Sequence, residues 1–336
     1  MPALTRLQLA LLIPLTLVWG LNWPVMKLGI ADYPPLTFRS LSIWLGLPVL
    51  GLALVMMKVP FKVARKDWPQ LLWLAATNMF VWHACIIVAV KHLSSGRSAI
   101  LGYSMPIFSA LIGALLFKTA LGRRGWLGVS AAALGVALLL WHEFSTLAGR
   151  PGYVALALVA AATWALGTQL LRRTSLTVPT LTISFWMTAL TAVVMTLLAW
   201  IFERGQWQAA APGTATWGAN LYNAVLIFGF AHAAWFYLAR GLTPVASTLS
   251  VMLIPVIGVF AGALWLGETV HWQDWAAVPG AFHWPRSSSS ARTEITTAAS
   301  VVIQKEMVSV GTVSVVRRSS CVPSAQVQAA TRASAT

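Results

Sequence analysis

Long apolar runs, separated by short polar or proline-containing connections, follow one another through residue 266 of the chain. A helix of about 20 apolar residues crosses the hydrocarbon core of a bilayer, and most of these runs reach that length. Nine segments can be placed, at about Leu7–Ile30, Pro35–Met56, Trp68–Val90, Ser95–Phe117, Trp126–Trp141, Tyr153–Leu171, Thr180–Phe202, Trp217–Leu238 and Thr243–Leu266. The pattern predicts an all-α polytopic membrane protein whose neighbouring helices are antiparallel, because the connections are short.

A shift of 149 residues aligns the fourth segment with the ninth. The shift pairs Pro106 with Pro255, Gly113-Ala114-Leu115 with Gly262-Ala263-Leu264, and Trp126 with Trp275. Duplicated sets of membrane spans are a transporter design. Because the first unit holds five spans, an odd number, the second unit enters the membrane from the opposite side. We therefore predict an inverted repeat of two five-helix units, over residues 1–148 and 149–278.

Such a repeat requires a tenth span beginning near Trp272, but the apolar pattern stops after Val278. Residues 279–336 are rich in Ser, Thr, Ala and Arg, a composition that buries too little apolar surface to order itself. Our hypothesis is that the reading frame, or the gene, is disrupted near Val278, so that the tenth helix is missing. The alternative is a genuine disordered tail, which leaves an odd number of spans.

Composition and charge support the membrane assignment. Hydrophobic residues make up 58% of the chain and charged residues 9%, against roughly 25% charged in soluble proteins. The net charge of +15 does not indicate nucleic acid as a partner, because the basic residues lie in short connections between spans. With the N-terminus in the cytoplasm, eleven Lys and Arg fall inside and six outside, which favours that orientation. The two cysteines suggest neither a disulfide framework nor a metal site, and no cofactor is expected.

Polar residues inside spans are the first candidates for a substrate cavity. Asn22 could face a cavity or form an interhelical hydrogen bond. Arg39 could bind a carboxylate bidentately or extend its head group to the outer lipid head groups, and the second interpretation is slightly favoured. Asn78 and Trp82 share a helix face, with His83 about 100° away. His83 and His232 are each more simply hydrogen-bonded packing groups.

Aromatic residues are abundant, with 18 Trp in the chain. Those near span ends are typical of the interfacial belt. Six lie deeper, where the indole N–H needs a partner: Trp19, Trp23, Trp82, Trp164, Trp186 and Trp235. Trp19 and Trp164 occupy similar places in the two units, so we predict that their rings flank a central cavity. Ordinary bundle packing is the alternative.

Three prolines inside spans, Pro24, Pro106 and Pro255, predict helix kinks. Since Pro106 and Pro255 are related by the repeat, their kinks should match and could accommodate a conformational change. No Asp or Glu lies in the middle of a predicted span, which disfavours carboxylate-based proton or sodium coupling.

The chain resembles the EamA family of the drug/metabolite transporter superfamily over about residues 7–278. The resemblance rests on Trp19-Gly20-Leu21-Asn22-Trp23-Pro24, Arg39, Tyr103-Ser104-Met105-Pro106 and Gly267-Glu268. It implies a ten-helix carrier of the inner membrane, often an exporter of amino acids or other small metabolites. The candidate cavity residues are then Trp19, Asn22, Trp23, Arg39, Asn78, Trp82, Tyr103, Trp164, His232 and Trp235.

We therefore expect a secondary transporter of small organic metabolites, in contact with the lipid bilayer and with a substrate as its partner. The oligomeric state is left open. A membrane-embedded enzyme is the first alternative, although the chain has no HExxH, GxSxG or paired intramembrane carboxylates. A non-transporting membrane scaffold is the second alternative, which a lost tenth helix would favour.

Overall fold

Helices form the regular structure of the computed structural model, which describes residues 6–119, 150–207, 211–241 and 253–270 and a few positions between 122 and 134. The described α-helices are α1 (Arg6–Gly29), α2 (Pro35–Met56), α3 (Trp68–Ala75), α4 (Val81–His92), α5 (Ser95–Gly102), α6 (Met105–Leu115), α7 (Pro151–Arg172), α8 (Thr180–Glu203), α9 (Thr214–Tyr222), α10 (His232–Gly241) and α11 (Leu253–Leu266).

Seven helical runs among the described residues are long and apolar enough to cross a membrane. They are Leu7–Gly29, Pro35–Met56, Arg65–His92, Ser95–Leu115, Pro151–Arg172, Thr180–Gln206 and Thr214–Arg240. The shorter apolar helix α11 coincides with the second half of the predicted ninth segment. The all-α polytopic prediction is confirmed. Most of the predicted fifth segment, the start of the tenth and the tail from residue 279 lie outside the described residues.

Two of the spans contain a stretch of wider π-helix. Ala76–Phe80 joins α3 to α4, and Asn223–Ala231 joins α9 to α10. The 149-residue shift that relates Pro106 to Pro255 carries the first stretch to 225–229, inside the second. A π-helix pairs residues five apart and therefore rotates the helix that follows it relative to a regular α-helix. Each of the two spans therefore departs from regular α-helical geometry at positions that the shift relates.

The span that contains Pro106 is broken rather than bent. Helix α5 ends at Gly102, Tyr103 and Ser104 form a turn, and α6 begins at Met105 with Pro106 as its second residue. The Ser104 hydroxyl donates to the Leu101 carbonyl at 2.7 Å, which satisfies one of the carbonyls left over at the end of α5. Pro106 needs no partner there, because the first turn of a helix does not use its N–H groups. Tyr103 is thereby placed in the interior of the bundle.

The other two prolines lie within helices. Helix α1 continues from Arg6 to Gly29 through Pro24. Pro255 is the third described residue of α11 and is buried, but the residues that precede it, 242–252, lie outside the described part. Whether Pro106 and Pro255 produce matching kinks therefore stays a prediction.

Close helix contacts depend on glycine at a few positions. A Cβ atom on Gly46 of α2 would lie 2.6 Å from the Phe228 Cβ and 2.7 Å from the Ala224 carbonyl oxygen. A Cβ atom on Gly167 of α7 would lie 2.4 Å from the Asn78 amide nitrogen. These glycines let α2 and α7 approach the two π-helical stretches, and they bring the walls of the cavity described below together.

Charged side chains cap helix ends at one end of the bundle, where α1 and α4 end and α2 and α5 begin. The Glu203 carboxylate accepts the backbone N–H groups of Leu36 and Thr37 at 2.8 and 2.7 Å. The Glu268 carboxylate accepts the Ser95 N–H at 2.8 Å and the Ser95 hydroxyl at 2.6 Å. Carboxylates at helix N-termini satisfy orphan donors and interact favourably with the helix dipole.

Two lysines cap C-terminal helix ends at the same end of the bundle, and each lysine caps the helix that carries the other. Lys27 of α1 donates to the carbonyls of Val90, Lys91 and Leu93 at 2.7–3.1 Å, where α4 ends. Lys91 of α4 donates to the carbonyls of Ile30 and Ala31, where α1 ends. Each lysine thus supplies the donors that the last turn of the other helix lacks.

Candidate functional site

A small cavity of about 40 Å³ lies inside the bundle. One water molecule needs at least about 10–15 Å³, so this volume holds roughly three waters. Helices α1, α2, α4, α6, α7 and α10 all contribute to its wall, together with the turn after α5 and the second π-helical stretch. The lining residues are Trp19, Asn22, Trp23, Met26, Arg39, Trp82, His83, Ile86, Tyr103, Met105, Trp164, Ile227 and His232.

Indole rings form much of the wall, and they contact one another across the two halves of the chain. The ring centroids of Trp19 and Trp164 lie 6.2 Å apart in an edge-on arrangement. Trp82 lies 5.1 Å from Trp164, and Trp23 lies 6.2 Å from the Tyr103 ring. Edge-to-face contacts at such distances are favourable for aromatic pairs. The structure therefore places Trp19 and Trp164 on the cavity wall, in contact with each other.

Two histidines meet at the cavity wall. The rings of His83 and His232 have centroids 5.1 Å apart, and both side chains are about 2% exposed. The His232 Nδ1 lies 2.8 Å from the Ile227 carbonyl oxygen. Since a carbonyl only accepts, Nδ1 carries the hydrogen. Neither ring nitrogen of His83 has a hydrogen-bond partner in the structure. The Phe228 ring stacks on His232 at 5.1 Å and holds it in place.

Arg39 is a buried cation, with 1% of its side chain exposed. Its Nη1 donates to the Asn223 Oδ1 at 3.0 Å, and its Nη2 contacts the Met26 thioether sulfur at 2.6 Å. Its guanidinium carbon lies 5.6 Å from the Phe228 ring centroid, and its Nε has no partner. The favoured interpretation, that Arg39 extends to the lipid head groups, is wrong. Helix α2 turns this side chain toward Asn223, in the core of the bundle.

Asn223 is itself fixed, because its Nδ2 donates to the Ala219 carbonyl at 2.9 Å. This bond orients Oδ1 toward Arg39. Among the described Asp and Glu residues, none forms an ion pair with the Arg39 guanidinium. Within the described residues its positive charge is therefore balanced by an amide dipole, a polarisable sulfur and the faces of the Phe38 and Phe228 rings.

Several polar atoms around the cavity lack partners. The Asn22 Oδ1, the Arg39 Nε, the Trp164 Nε1 and both His83 ring nitrogens are buried and without a hydrogen bond. Buried polar groups in proteins are almost always paired with protein or water. The residues that carry these atoms all line the cavity, so a ligand that enters after the side chains rearrange can pair with them. Their concentration here marks the cavity as a binding site candidate.

Eight of the ten candidate residues line the cavity, and Asn78 and Trp235 do not. Asn78 is fully buried and donates through Nδ2 to the Leu74 carbonyl at 3.2 Å. Trp235 contacts Trp19, with centroids 5.6 Å apart. That any of these residues binds substrate stays a prediction. The lining residues outside the candidate set are Met26, His83, Ile86, Met105 and Ile227.

His83 was left out of the candidate cavity residues, although the sequence contains a signal for it. The shift of 149 residues carries His83 onto His232, so the two histidines occupy equivalent places in the two predicted units. Met26, Ile86, Met105 and Ile227 carry no such signal, since apolar residues occur throughout the spans.

Comparison with known proteins gives consistent matches over the same part of the chain. The model of the EamA-like transporter family matches residues 7–141 and 152–282. Over 265 residues the chain is 24% identical to the uncharacterized transporter YoaV of Bacillus subtilis (strain 168), covering 77% of this chain and 88% of YoaV. It is 25% identical to the uncharacterized inner membrane transporter YedA of Escherichia coli (strain K12), covering 80% of this chain and 85% of YedA.

A further relative has a more specific description. The chain is 27% identical to a probable amino-acid metabolite efflux pump of Salmonella typhimurium, covering 78% of this chain and 87% of that protein. A crystal structure of another protein superposes with a TM-score of 0.62 at 20% identity, covering 83% of this chain and 96% of that one, which shows the fold. Since the family model matches most of the chain in two successive regions, the protein belongs to the EamA-like transporter family.

Proposed function

We propose that this membrane transporter carries small organic metabolites by alternating access around the cavity between Trp19 and Trp164. The contact between these rings carries the proposal, because they come from the first helices of the two predicted repeat units. A binding site at a repeat interface is where secondary transporters hold their substrates. The two matched family regions support a division of the chain into two related halves.

The size of the cavity supports a mechanism with more than one conformation. Sites for small molecules enclose about 300–1,000 Å³, whereas this cavity encloses about 40 Å³. A metabolite enters only if helices or aromatic side chains move apart. The broken span at Tyr103–Ser104 and the two π-helical stretches are positions where helices adjust without losing their hydrogen bonds.

Export from the cytoplasm across the inner membrane is the direction that we propose, with the N-terminus in the cytoplasm and ten spans in the complete inverted repeat. The excess of Lys and Arg on the inner side supports this orientation. The description of the Salmonella relative supports export.

Flux measurements test the proposal. Purified full-length protein in liposomes should exchange labelled metabolites, without chemical change, faster than protein-free liposomes do. Trp19→Ala and Asn22→Ala should each reduce that flux about tenfold or more, since each removes a wall group of the cavity. Trp73→Ala is the matched control, because the Trp73 side chain is 69% exposed and does not line the cavity. Normal flux in both cavity variants would contradict the proposed site.

A further inference from the structure

We propose that the substrate is a small organic carboxylate with one negative charge and an apolar or aromatic body, and that Arg39 binds its carboxylate. The inference deepens the proposed function and rests on it for the location of the site. It begins from charge. Arg39 is the one permanently charged residue among those that line the cavity, and it forms no ion pair with a described acid.

An unpaired charge inside a membrane protein is costly, and such residues are typically located where an ion or substrate neutralises them. One carboxylate compensates one guanidinium. A second negative charge would find no cation among the residues that line the cavity. An ammonium group would lie close to Arg39 without a described carboxylate to pair with it. The electrostatics therefore favour a monoanion over a zwitterion or an amine.

The geometry of the guanidinium defines where the carboxylate binds. Asn223 occupies Nη1 at 3.0 Å, which leaves the edge formed by Nε and Nη2. On that edge Nε has no partner, and Nη2 has only the thioether of Met26. A thioether is a weak acceptor on a flexible side chain, so a carboxylate displaces it at small cost. Two parallel N–H···O bonds to one edge are the strongest pairing that arginine offers.

The rest of the cavity suits an apolar body. Trp19, Trp23, Trp82 and Trp164 present ring surfaces, and the Trp164 Nε1 is an unpaired donor. Indole and phenol rings contact aromatic ligands by edge-on or offset stacking. We infer that derivatives of aromatic amino acids without the amino group fit this site better than the amino acids themselves.

Four probes that share a phenyl ring separate the charge types: phenylacetate, the neutral phenylacetamide, the cation 2-phenylethylamine and the zwitterion phenylalanine. Binding to purified full-length protein is measured by calorimetry, and flux is measured in liposomes against protein-free controls. We expect phenylacetate to bind roughly tenfold or more tightly than each of the other three, because hydrogen bonds to a charged group contribute the most. Equal binding of phenylacetamide, preferred binding of the zwitterion or amine, or no binding of any probe would overturn the inference.

Variants extend the test without being essential to it. Arg39→Gln should remove the preference for phenylacetate, whereas Arg39→Lys should keep part of it. Arg240→Gln is the matched control, since Arg240 is exposed and hydrogen-bonds Thr180 at 2.9 Å, and it should bind phenylacetate like the parent protein. If Arg39→Gln retains the full preference while folded, the assignment of Arg39 is wrong.

The two proposals fail in distinguishable ways. If the protein binds phenylacetate preferentially but moves no probe across the liposome membrane, transport fails and the substrate class stands. If it moves phenylalanine or phenylacetamide as fast as phenylacetate, transport stands and the substrate class fails.

Discussion

His83 and His232 lie 149 residues apart in the chain, yet their imidazole rings have centroids only 5.1 Å apart at the wall of the cavity. Each follows a π-helical stretch, and the same shift relates Pro106 to Pro255. Two positions that the 149-residue shift relates therefore meet at one point in the structure. Their hydrogen bonding nevertheless differs.

Because of that difference, replacing each histidine by phenylalanine should change the stability of the protein to a different extent. His232→Phe deletes the side-chain bond to the Ile227 carbonyl, which keeps the backbone N–H of residue 232 as a donor, so the variant should lose about 1 kcal/mol of stability, the net contribution of one hydrogen bond. His83→Phe removes nitrogens that have no partner and should be neutral or stabilising. Thermal unfolding of both variants in detergent checks this, and an equal loss in both would contradict the described bonding.

Gly46 should tolerate no side chain. Its Cβ would lie 2.7 Å from the Ala224 carbonyl oxygen, which belongs to the backbone and cannot rotate away, so Gly46→Ala should lower stability by about 1–3 kcal/mol. Gly218→Ala is the control, because nothing lies within 4 Å of the added atom and alanine favours a helix. Melting temperatures should fall for the first and not for the second.

The carboxylate of Glu268 should protect the start of α5. Glu268→Ala removes the acceptor of the Ser95 and Gly96 N–H groups, and hydrogen exchange of these two amides should become faster by about tenfold, since a cap contributes roughly 1 kcal/mol. Asp67→Ala is the comparison, because the Asp67 side chain makes no capping bond to α3. Unchanged exchange at Ser95 in Glu268→Ala would show that the cap is not significant.

Asn223→Asp should lower the affinity of the cavity for anions. The new carboxylate would lie where Oδ1 now accepts from Arg39 at 3.0 Å, and it would neutralise the guanidinium. We expect phenylacetate to bind about tenfold or more weakly, and the melting temperature shows whether the variant folds, because aspartate has no Nδ2 to donate to the Ala219 carbonyl. Retained phenylacetate binding would mean that the positive charge of Arg39 does not attract the ligand.

The sequence predicted the spans well and the site in part, for a physical reason. Apolar runs of membrane length have few alternatives to a helix, so α1, α2 and α7 begin and end close to the predicted positions. Position along a span does not determine whether a side chain faces lipid or the bundle. The sequence therefore allowed two interpretations of Arg39, and the favoured one, an extension to the lipid head groups, was wrong. The environment of Arg39 depends on Asn223, 184 residues further along the chain.

Helical periodicity was also an incomplete guide. Asn78 and Trp82 share a face in a regular helix, and they contact α7 at Gly167 and Trp164 respectively, yet only Trp82 borders the cavity. His83 borders it as well, because helices from different parts of the chain pack around this part of α4. Such an arrangement follows from the packing of distant segments, which periodicity within one span does not encode.

The helix caps also form one after another while the chain is synthesised and inserted into the membrane. Lys27 and Lys91 are synthesised early, and each can cap the helix of the other as soon as α4 has been inserted. The N-terminal turns of α2 and α5 wait longer, because their acceptors, Glu203 and Glu268, are among the later residues of the bundle to leave the ribosome. Until then the nascent first half holds uncapped helix ends at the membrane surface. Synthesis of the second half thus completes the helix caps of the first half. A chain released before Glu268 should therefore be a preferred substrate of membrane quality-control proteases.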